Sequence, residues 1–317
     1  MIPSTTRSAA PLTMALSALT FLLATIGMVG RIEPFLSWYY TFSWWSYIVF
    51  AESFLHWKGR GSALFETPGR FVLQLPLSVA IWLVFELFNF RLQNWHYVDV
   101  PSSLALRWAG YAISFATVLP GLNATAALLR NLLPLESLRW TEISLRAPIR
   151  LQVMGAGLLS LVLPLAWPRV FFPLVWLGFI LLIGPLVRSD GSDGLIRGLQ
   201  SGRPGKLVEL LLSGMICGFL WELWNFWAGA KWVYTVPFVG WLKIFEMPLL
   251  GFLGFPPFAV ECYLMSAFAF QLWGSLERIQ SLTLRWIMRC LLSLAFLVFC
   301  MLVFSGIDRN TVISYGA

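Results

Sequence analysis

The chain has 317 residues, of which 58 % are hydrophobic and 12 % charged, with a mean hydropathy of +0.75. Soluble domains carry about 25 % charged residues, so the composition excludes an ordinary soluble globule and indicates an integral membrane protein. A formal net charge of +7 in so apolar a chain points to basic loops on one membrane face, not to nucleic acid. The four cysteines (Cys217, Cys262, Cys290 and Cys300) fall in apolar runs without C-x-x-C spacing and read as small buried hydrophobes.

In chain order, Arg7 precedes a first apolar run, 11–30. Further spans follow it, so it is expected to be a retained helix and not a cleaved leader. Further runs long enough to cross about 30 Å of hydrocarbon occur at 35–55, 71–91, 104–133, 149–167, 170–187, 207–228, 244–275 and 286–305. These predict an all-α polytopic bundle of about nine transmembrane helices. Two spans are interrupted, at Leu119-Pro120-Gly121 and at Gly254-Phe255-Pro256-Pro257, where proline should kink or break the helix. Strands of about ten alternating residues, the mark of a membrane barrel, are absent. Residues 126–150, mixing Leu, Trp and Arg around Pro134, predict an interfacial amphipathic segment.

Loop charge sets the expected orientation. One set of loops holds Arg7, Lys58, Arg60, Arg70, Arg130, Arg139, Arg146, Arg150, Arg188, Arg197, Arg203, Lys206, Arg278, Arg285 and Arg289, fifteen of the 22 basic residues. The other set holds Arg31, Arg91, Arg107, Arg169, Lys231, Lys243 and Arg309. The bias predicts a cytoplasmic N-terminus, an external C-terminus and residence in a bacterial inner membrane.

An internal repeat stands at an offset of 136 residues. Pro68-Gly69-Arg70 recurs as Pro204-Gly205-Lys206, Glu86-Leu-Phe-Asn89-Phe as Glu222-Leu-Trp-Asn225-Phe, and Val100-Pro101 as Val236-Pro237. Ten of 34 ungapped positions are identical over 68–101, and the polar residues keep register. A one-residue gap also aligns Trp95 and Tyr97 with Trp232 and Tyr234. The expectation is a tandem, parallel duplication of a four-helix unit: 1–136 as the first membrane repeat, 137–275 as the second, and 276–317 as an added helix and tail.

Residues at i and i+3 share a helix face, so Glu86 points with Asn89, and Glu222 with Asn225. Gly214, Gly218 and Gly229 continue the second stripe and should admit a close neighbour, leaving Trp221, Phe226 and Trp227 partly toward lipid. An intramembrane carboxylate is costly unless paired, protonated or near water, which makes it a functional candidate. Glu246 and Glu261, beside the Pro256-Pro257 break, fall in the same zone. The expected site is one aromatic-walled cavity between the copies, opening outward. Glu86, Asn89, Glu222, Asn225, Glu246 and Glu261 would line it, with Trp95, Tyr97, Trp232 and Tyr234 as a rim. Against this stand plain interhelical clasps for the acids and ordinary interface anchoring for the aromatics.

Glu52 and His56, at i,i+4, have metal-ligand spacing, but the chain has only two histidines, so a helix-end hydrogen bond is expected and no metal site. His96 reads as a loop residue. Neither G-x-x-x-x-G-K-[ST] nor G-x-G-x-x-G accompanies the Pro-Gly-Arg and Pro-Gly-Lys turns, and no cofactor is expected.

Three function classes follow. The first is a cofactor-free membrane enzyme acting on a lipid or isoprenoid, with Glu86 and Glu222 as acid and base and aromatic faces stabilising a cation. The second is a transporter or channel using the acids as cation or proton sites; no continuous polar line crosses the chain to support it. The third is a non-catalytic membrane scaffold. Glu86 with Trp95-x-Tyr97 and Pro101, repeated as Glu222 with Trp232-x-Tyr234 and Pro237, resembles the Glu…Tyr-x-Tyr…Pro pattern of membrane carotenoid hydratases and cyclases. The resemblance covers about 20 residues per copy, and Asn89 and Asn225 stand where those proteins tend to have Gly. It implies acid chemistry on an isoprenoid substrate.

Overall fold

The computed structural model describes residues 4–142, 147–187 and 194–316. The helices are α1 (Ser4–Val29), α2 (Tyr39–Lys58), α3 (Ala63–Glu66), α4 (Pro68–Leu92), α5 (Leu104–Phe115), α6 (Val118–Leu132), α7 (Ala147–Ala166), α8 (Pro168–Phe171), α9 (Val175–Ile183), α10 (Leu195–Gln200), α11 (Gly205–Trp227), α12 (Phe255–Glu277) and α13 (Leu282–Asn310). Six short strands join them: β1 (Trp95–Val98), β2 (Val100–Pro101), β3 (Lys231–Tyr234), β4 (Lys243–Ile244), β5 (Met247–Pro248) and β6 (Tyr315–Gly316). Among the described residues, eight segments are long and apolar enough to cross a membrane. The 20-residue α2 adds a ninth of membrane length, since 1.5 Å per residue gives about 30 Å. The chain is therefore an all-α polytopic bundle, and each of the nine apolar runs has its helix.

The helices alternate in direction. One end of the bundle collects all six strands and the turns around 30–38, 92–104, 166–168, 227–255 and 310–316. It is tied together by Gly229 N donating to Leu36 O (2.9 Å) and Arg91 Nε to Leu165 O (3.0 Å). The opposite end is held by Arg130 and Lys206 on Glu209 (3.1 and 2.6 Å) and by Arg289 on Glu277 (2.6 Å). Most of the basic side chains gather there. Arg146 and Arg188 lie outside the described residues, as does the side chain of Arg7.

Three expectations shift. The first break falls at 116–117, ahead of Pro120, whereas the second falls inside the expected stretch, between Gly254 and Phe255. Pro120, Pro256 and Pro257 instead occupy first turns, where a missing N–H costs nothing. The first break is satisfied from across the bundle: Ser78 Oγ donates to Phe115 O (2.6 Å) and accepts from Leu119 N (3.0 Å). No separate amphipathic helix fills 126–150 among the described residues. Residues 126–132 belong to α6, a 3-10 turn covers Leu135–Ser137, and α7 begins at Ala147. Of the cysteines, Cys217, Cys262 and Cys300 are buried, but Cys290 is exposed on α13.

The glycine stripe on α11 performs as expected. A Cβ on Gly214 would collide with the carbonyl oxygen of Phe255 and come within 2.9 Å of the Ala259 Cβ; one on Gly218 would enter the Phe255 ring. The start of α12 can approach only because these two positions have no side chain. Trp221, expected to face lipid, is instead 5 % exposed, with Phe255 and Phe258 rings 5.7 Å from its own. Phe226 and Trp227 remain outward, at 37 % and 53 % exposure. At the centre, Trp44 is fully buried against Trp221 and Trp224, with ring centroids 5.5 and 4.9 Å away.

Gly214→Leu is expected to lower the thermal stability of the detergent-solubilised protein by the equivalent of at least about 1–3 kcal/mol of overpacking. Gly155→Leu, where an added Cβ meets nothing within 4 Å, is expected to leave the melting curve in place.

Candidate functional site

The site is built where α4 and α11 run out. Each helix carries Asn one turn before its end, and each Asn grips the strand that follows. Asn89 Nδ2 donates to Trp95 O (2.8 Å), and its Oδ1 accepts from Asn94 N and Trp95 N (2.9 and 3.3 Å). Asn225 repeats this with Trp232, donating to its carbonyl (2.8 Å) and accepting from its N–H (2.9 Å). Both side chains are fully buried and use their polar atoms on backbone. They fix the two strands and do not line the cavity, contrary to expectation. Sharing a face with the glutamates still leaves them one turn nearer the helix end, within reach of the loop.

The two strands then pair with each other. β1 and β3 are antiparallel, with Trp95 opposite Tyr234 and Tyr97 opposite Trp232. Identical Trp-x-Tyr motifs thus meet about a local twofold, and all four aromatics project from one face of the ladder. The main chain of Tyr97 is held on its other side by the C-terminal segment, donating to Thr311 O and accepting from Ile313 N (2.8 Å each). β2 pairs in parallel with β6, and Asp99 N donates to Ser314 Oγ 215 residues away.

Behind this face sit the two acids. Glu86 Oε1 accepts three hydrogen bonds, from Tyr97 OH (2.5 Å), Trp82 Nε1 (2.9 Å) and Trp95 Nε1 (3.0 Å). Glu222 Oε1 accepts one, from Tyr234 OH (2.8 Å), which in turn accepts from Trp232 Nε1 (2.8 Å). Both glutamates are fully buried, and the Oε2 atom of each has no hydrogen-bond partner. Neither belongs to any ion pair found among the described residues. Burial, and next the adjoining Glu86, raise the Tyr97 hydroxyl well above its usual range; burial and Glu222 do the same to Tyr234. Both hydroxyls therefore keep their protons at neutral pH.

In front of the ladder lies a cavity of about 150 Å³. Its wall includes Trp82, Trp95, Tyr97, Trp232 and Tyr234, together with Tyr40 from α2, Tyr111 and Phe115 from α5, Trp176 from α9, Trp221 from α11 and Phe258 from α12. The four ladder aromatics are thus wall, not rim. Glu86 meets the cavity through Tyr97, Trp82 and Trp95, and Glu222 through Tyr234. Lys231 lines it and pairs with Glu246 (2.6 Å), so Glu246 stands one residue back from the expected position. Glu261 does not reach the cavity: its Oε1 accepts from the Phe179 backbone N–H (2.9 Å) and clasps α12 to α9.

One buried cluster at the wall escaped the sequence reading. Asp308 of α13 takes a bidentate pair from Arg107 (2.8 and 2.9 Å), Trp108 Nε1 (2.9 Å) and Tyr111 OH (3.0 Å). Arg107 also donates to Pro101 O and Ser102 O (2.8 and 3.0 Å). The only signal was two opposite charges placed at the ends of apolar spans.

At the other end, Glu52 accepts from Ser62 Oγ (2.5 Å) and Leu64 N (3.1 Å) at the start of α3, and His56 lies 3.7 Å from Glu66. No group of three metal-ligand side chains occurs among the described residues. His96 lies in β1 and not in a loop; its ring contacts Gln93 Oε1 (2.8 Å) and Thr235 Oγ1 (3.2 Å). Comparison with protein-family models, curated proteins and solved structures finds no match.

Asp308→Ala strands three buried donor groups and is expected to cost about 3–5 kcal/mol, read as a lowered midpoint of thermal unfolding in detergent. Arg107→Lys is expected to be destabilising too, because an ammonium cannot reproduce the two-point contact.

Proposed function

We propose that the chain is a cofactor-free membrane enzyme that moves protons to and from a carbon–carbon double bond of a lipid or isoprenoid held in the cavity. The observation that carries this reading is the pair of buried carboxyls, free of cationic partners, each joined to one aromatic-walled cavity by a tyrosine hydroxyl. A carboxyl group kept from bulk water in this way can act as a neutral acid, and a second carboxylate nearby can act as base.

One tyrosine hydroxyl turns from its carboxyl toward the substrate, its O–H bond breaks as the proton passes to an alkene carbon, and the protonated carboxyl behind it then restores that proton. The alkene π pair forms the new C–H bond, leaving a cation on the adjoining carbon. The second glutamate, through its own tyrosine, then accepts a proton from a neighbouring carbon, whose C–H pair forms a new double bond. With water in place, the water oxygen instead bonds the cation and gives up its proton to that glutamate. The resemblance to membrane carotenoid hydratases and cyclases points the same way. Tyr97 and Tyr234 are diagonal neighbours on the ladder, about 7–8 Å apart at the backbone, which leaves room for a substrate chain between two proton-handling groups.

The matching Asn grips and the local twofold of β1 and β3 support descent from a duplicated four-helix unit, with both copies in one orientation. The basic end of the bundle would then face the cytoplasm of a bacterial inner membrane, and the cavity would open toward the far side. Reporter fusions are expected to place the N-terminus inside and the C-terminus outside; the opposite result would invert the access route.

The chemistry is tested with the purified protein in lipid nanodiscs, incubated in D2O with a panel of unsaturated isoprenoids and lipids. Wild type is expected to place deuterium on carbon in at least one of them. Glu86→Gln and Glu222→Gln are expected to reduce this at least about 100-fold, the usual contribution of a positioned acid or base, while keeping the wild-type melting curve. No deuterium with wild type, or full incorporation with both variants, would sink the reading.

A further inference from the structure

Three of the tryptophans in the cavity wall turn their N–H groups away from the space it encloses. The indole N–H groups of Trp82 and Trp95 are spent on Glu86, and that of Trp232 on the Tyr234 hydroxyl. What those three indoles leave for the cavity is carbon and ring surface. The two cations on the wall are already neutralised, Lys231 by Glu246 at 2.6 Å and Arg107 by Asp308 at 2.8 Å. Glu86 and Glu222 pair with neither cation, and whichever stands as the carboxylate in the proposed reaction leaves a negative charge behind a space framed by electron-rich faces.

Such a space is complementary to a cation, and its chemistry selects the kind. A transition metal or divalent ion is held by converging carboxylate, imidazole or thiolate groups, and no cluster of three His, Cys, Asp or Glu occurs among the described residues. A primary ammonium carries three N–H donors that must each find an acceptor, and the unused carboxyl oxygens nearest the ladder, Oε2 of Glu86 and of Glu222, lie behind the wall. An alkylated ammonium has no such demand, is weakly hydrated, and is drawn to Trp and Tyr faces most strongly where water is excluded. The volume also fits: about 150 Å³ is roughly ten times the space one buried water requires.

We infer that the cavity binds a trialkylammonium group carried on an apolar chain, as a stable mimic of the cation formed in the proposed reaction. The inference rests on that reading for its meaning, but it is measured separately, by binding without turnover. In a carbocation reaction the same rings hold the charge once the proton has been delivered, so a permanent cation of similar shape should sit where the intermediate would.

The probe is hexyltrimethylammonium, compared by equilibrium dialysis against the nanodisc-embedded protein with its neutral isostere, in which carbon replaces nitrogen. The ammonium is expected to bind roughly tenfold tighter or more, the factor a desolvated aromatic cage supplies. Its binding is expected to weaken about tenfold in the Glu86→Gln/Glu222→Gln double variant, while the isostere is unaffected; melting curves check that the variant is folded. Equal affinity for probe and isostere, no binding, or ammonium binding unchanged in the double variant would each overturn the inference. Deuterium transfer that survives such a result would leave the acid–base reading standing. Selective ammonium binding without deuterium transfer would leave the cation site and remove the reaction.

Discussion

The pairing of Trp95–Val98 with Lys231–Tyr234 is the constraint on which the site depends. Without it, α4 and α11 would present two unrelated buried acids. With it, the Trp-x-Tyr motifs that follow each acid are locked face to face, and both tyrosines enter one cavity. The ladder is only four residues long, and a strand pair of that size has little stability alone. It persists because Asn89 and Asn225 anchor one end of each strand to a helix, and because the C-terminal segment covers the open edge of β1.

The arrangement separates two tasks that a polar site inside a membrane protein must reconcile. A carboxyl exposed to a wide cavity would draw in water; one sealed in the core would have nothing to react with. Here each carboxyl lies one side chain behind the surface, and a tyrosine bridges the gap. The two acids are not held equally. Glu86 receives three donors and Glu222 one: Trp82 stands at the position that aligns with Gly218, and Trp232 gives its N–H to the Tyr234 hydroxyl where Trp95 gives its own to Glu86. That glycine is needed elsewhere, to admit Phe255 at the start of α12. Packing in one copy and hydrogen bonding in the other therefore compete for the same repeat position.

Much of the architecture was legible in the sequence, because long apolar runs leave the backbone one economical solution. Each of the nine runs is largely helical, and eight segments among the described residues are long and apolar enough to cross a membrane. The repeated Glu, Asn, Trp and Tyr were also legible, since polar residues that recur in register inside apolar helices need a shared reason. What the sequence could not convey were the assignments that depend on distance through space. Asn89 and Asn225 share the glutamate face but reach the loop backbone. Glu261 sits beside a helix break yet spends an oxygen on α9. Arg107 and Asp308 are 201 residues apart, and no local pattern links them. The first break lies a few residues ahead of its proline for a simpler reason: proline is comfortable in a first turn, so it marks where a helix restarts and not where the previous one stops.

The C-terminal segment carries one more implication, about timing. Tyr97 is gripped by Thr311 and Ile313, and the neighbouring turn by a serine 215 positions downstream. Closing so long a loop is slow compared with forming helix hairpins. The bundle can be threaded into the bilayer with this wall still unset, so a nascent chain would carry its two acids through insertion before the cavity closes beside them.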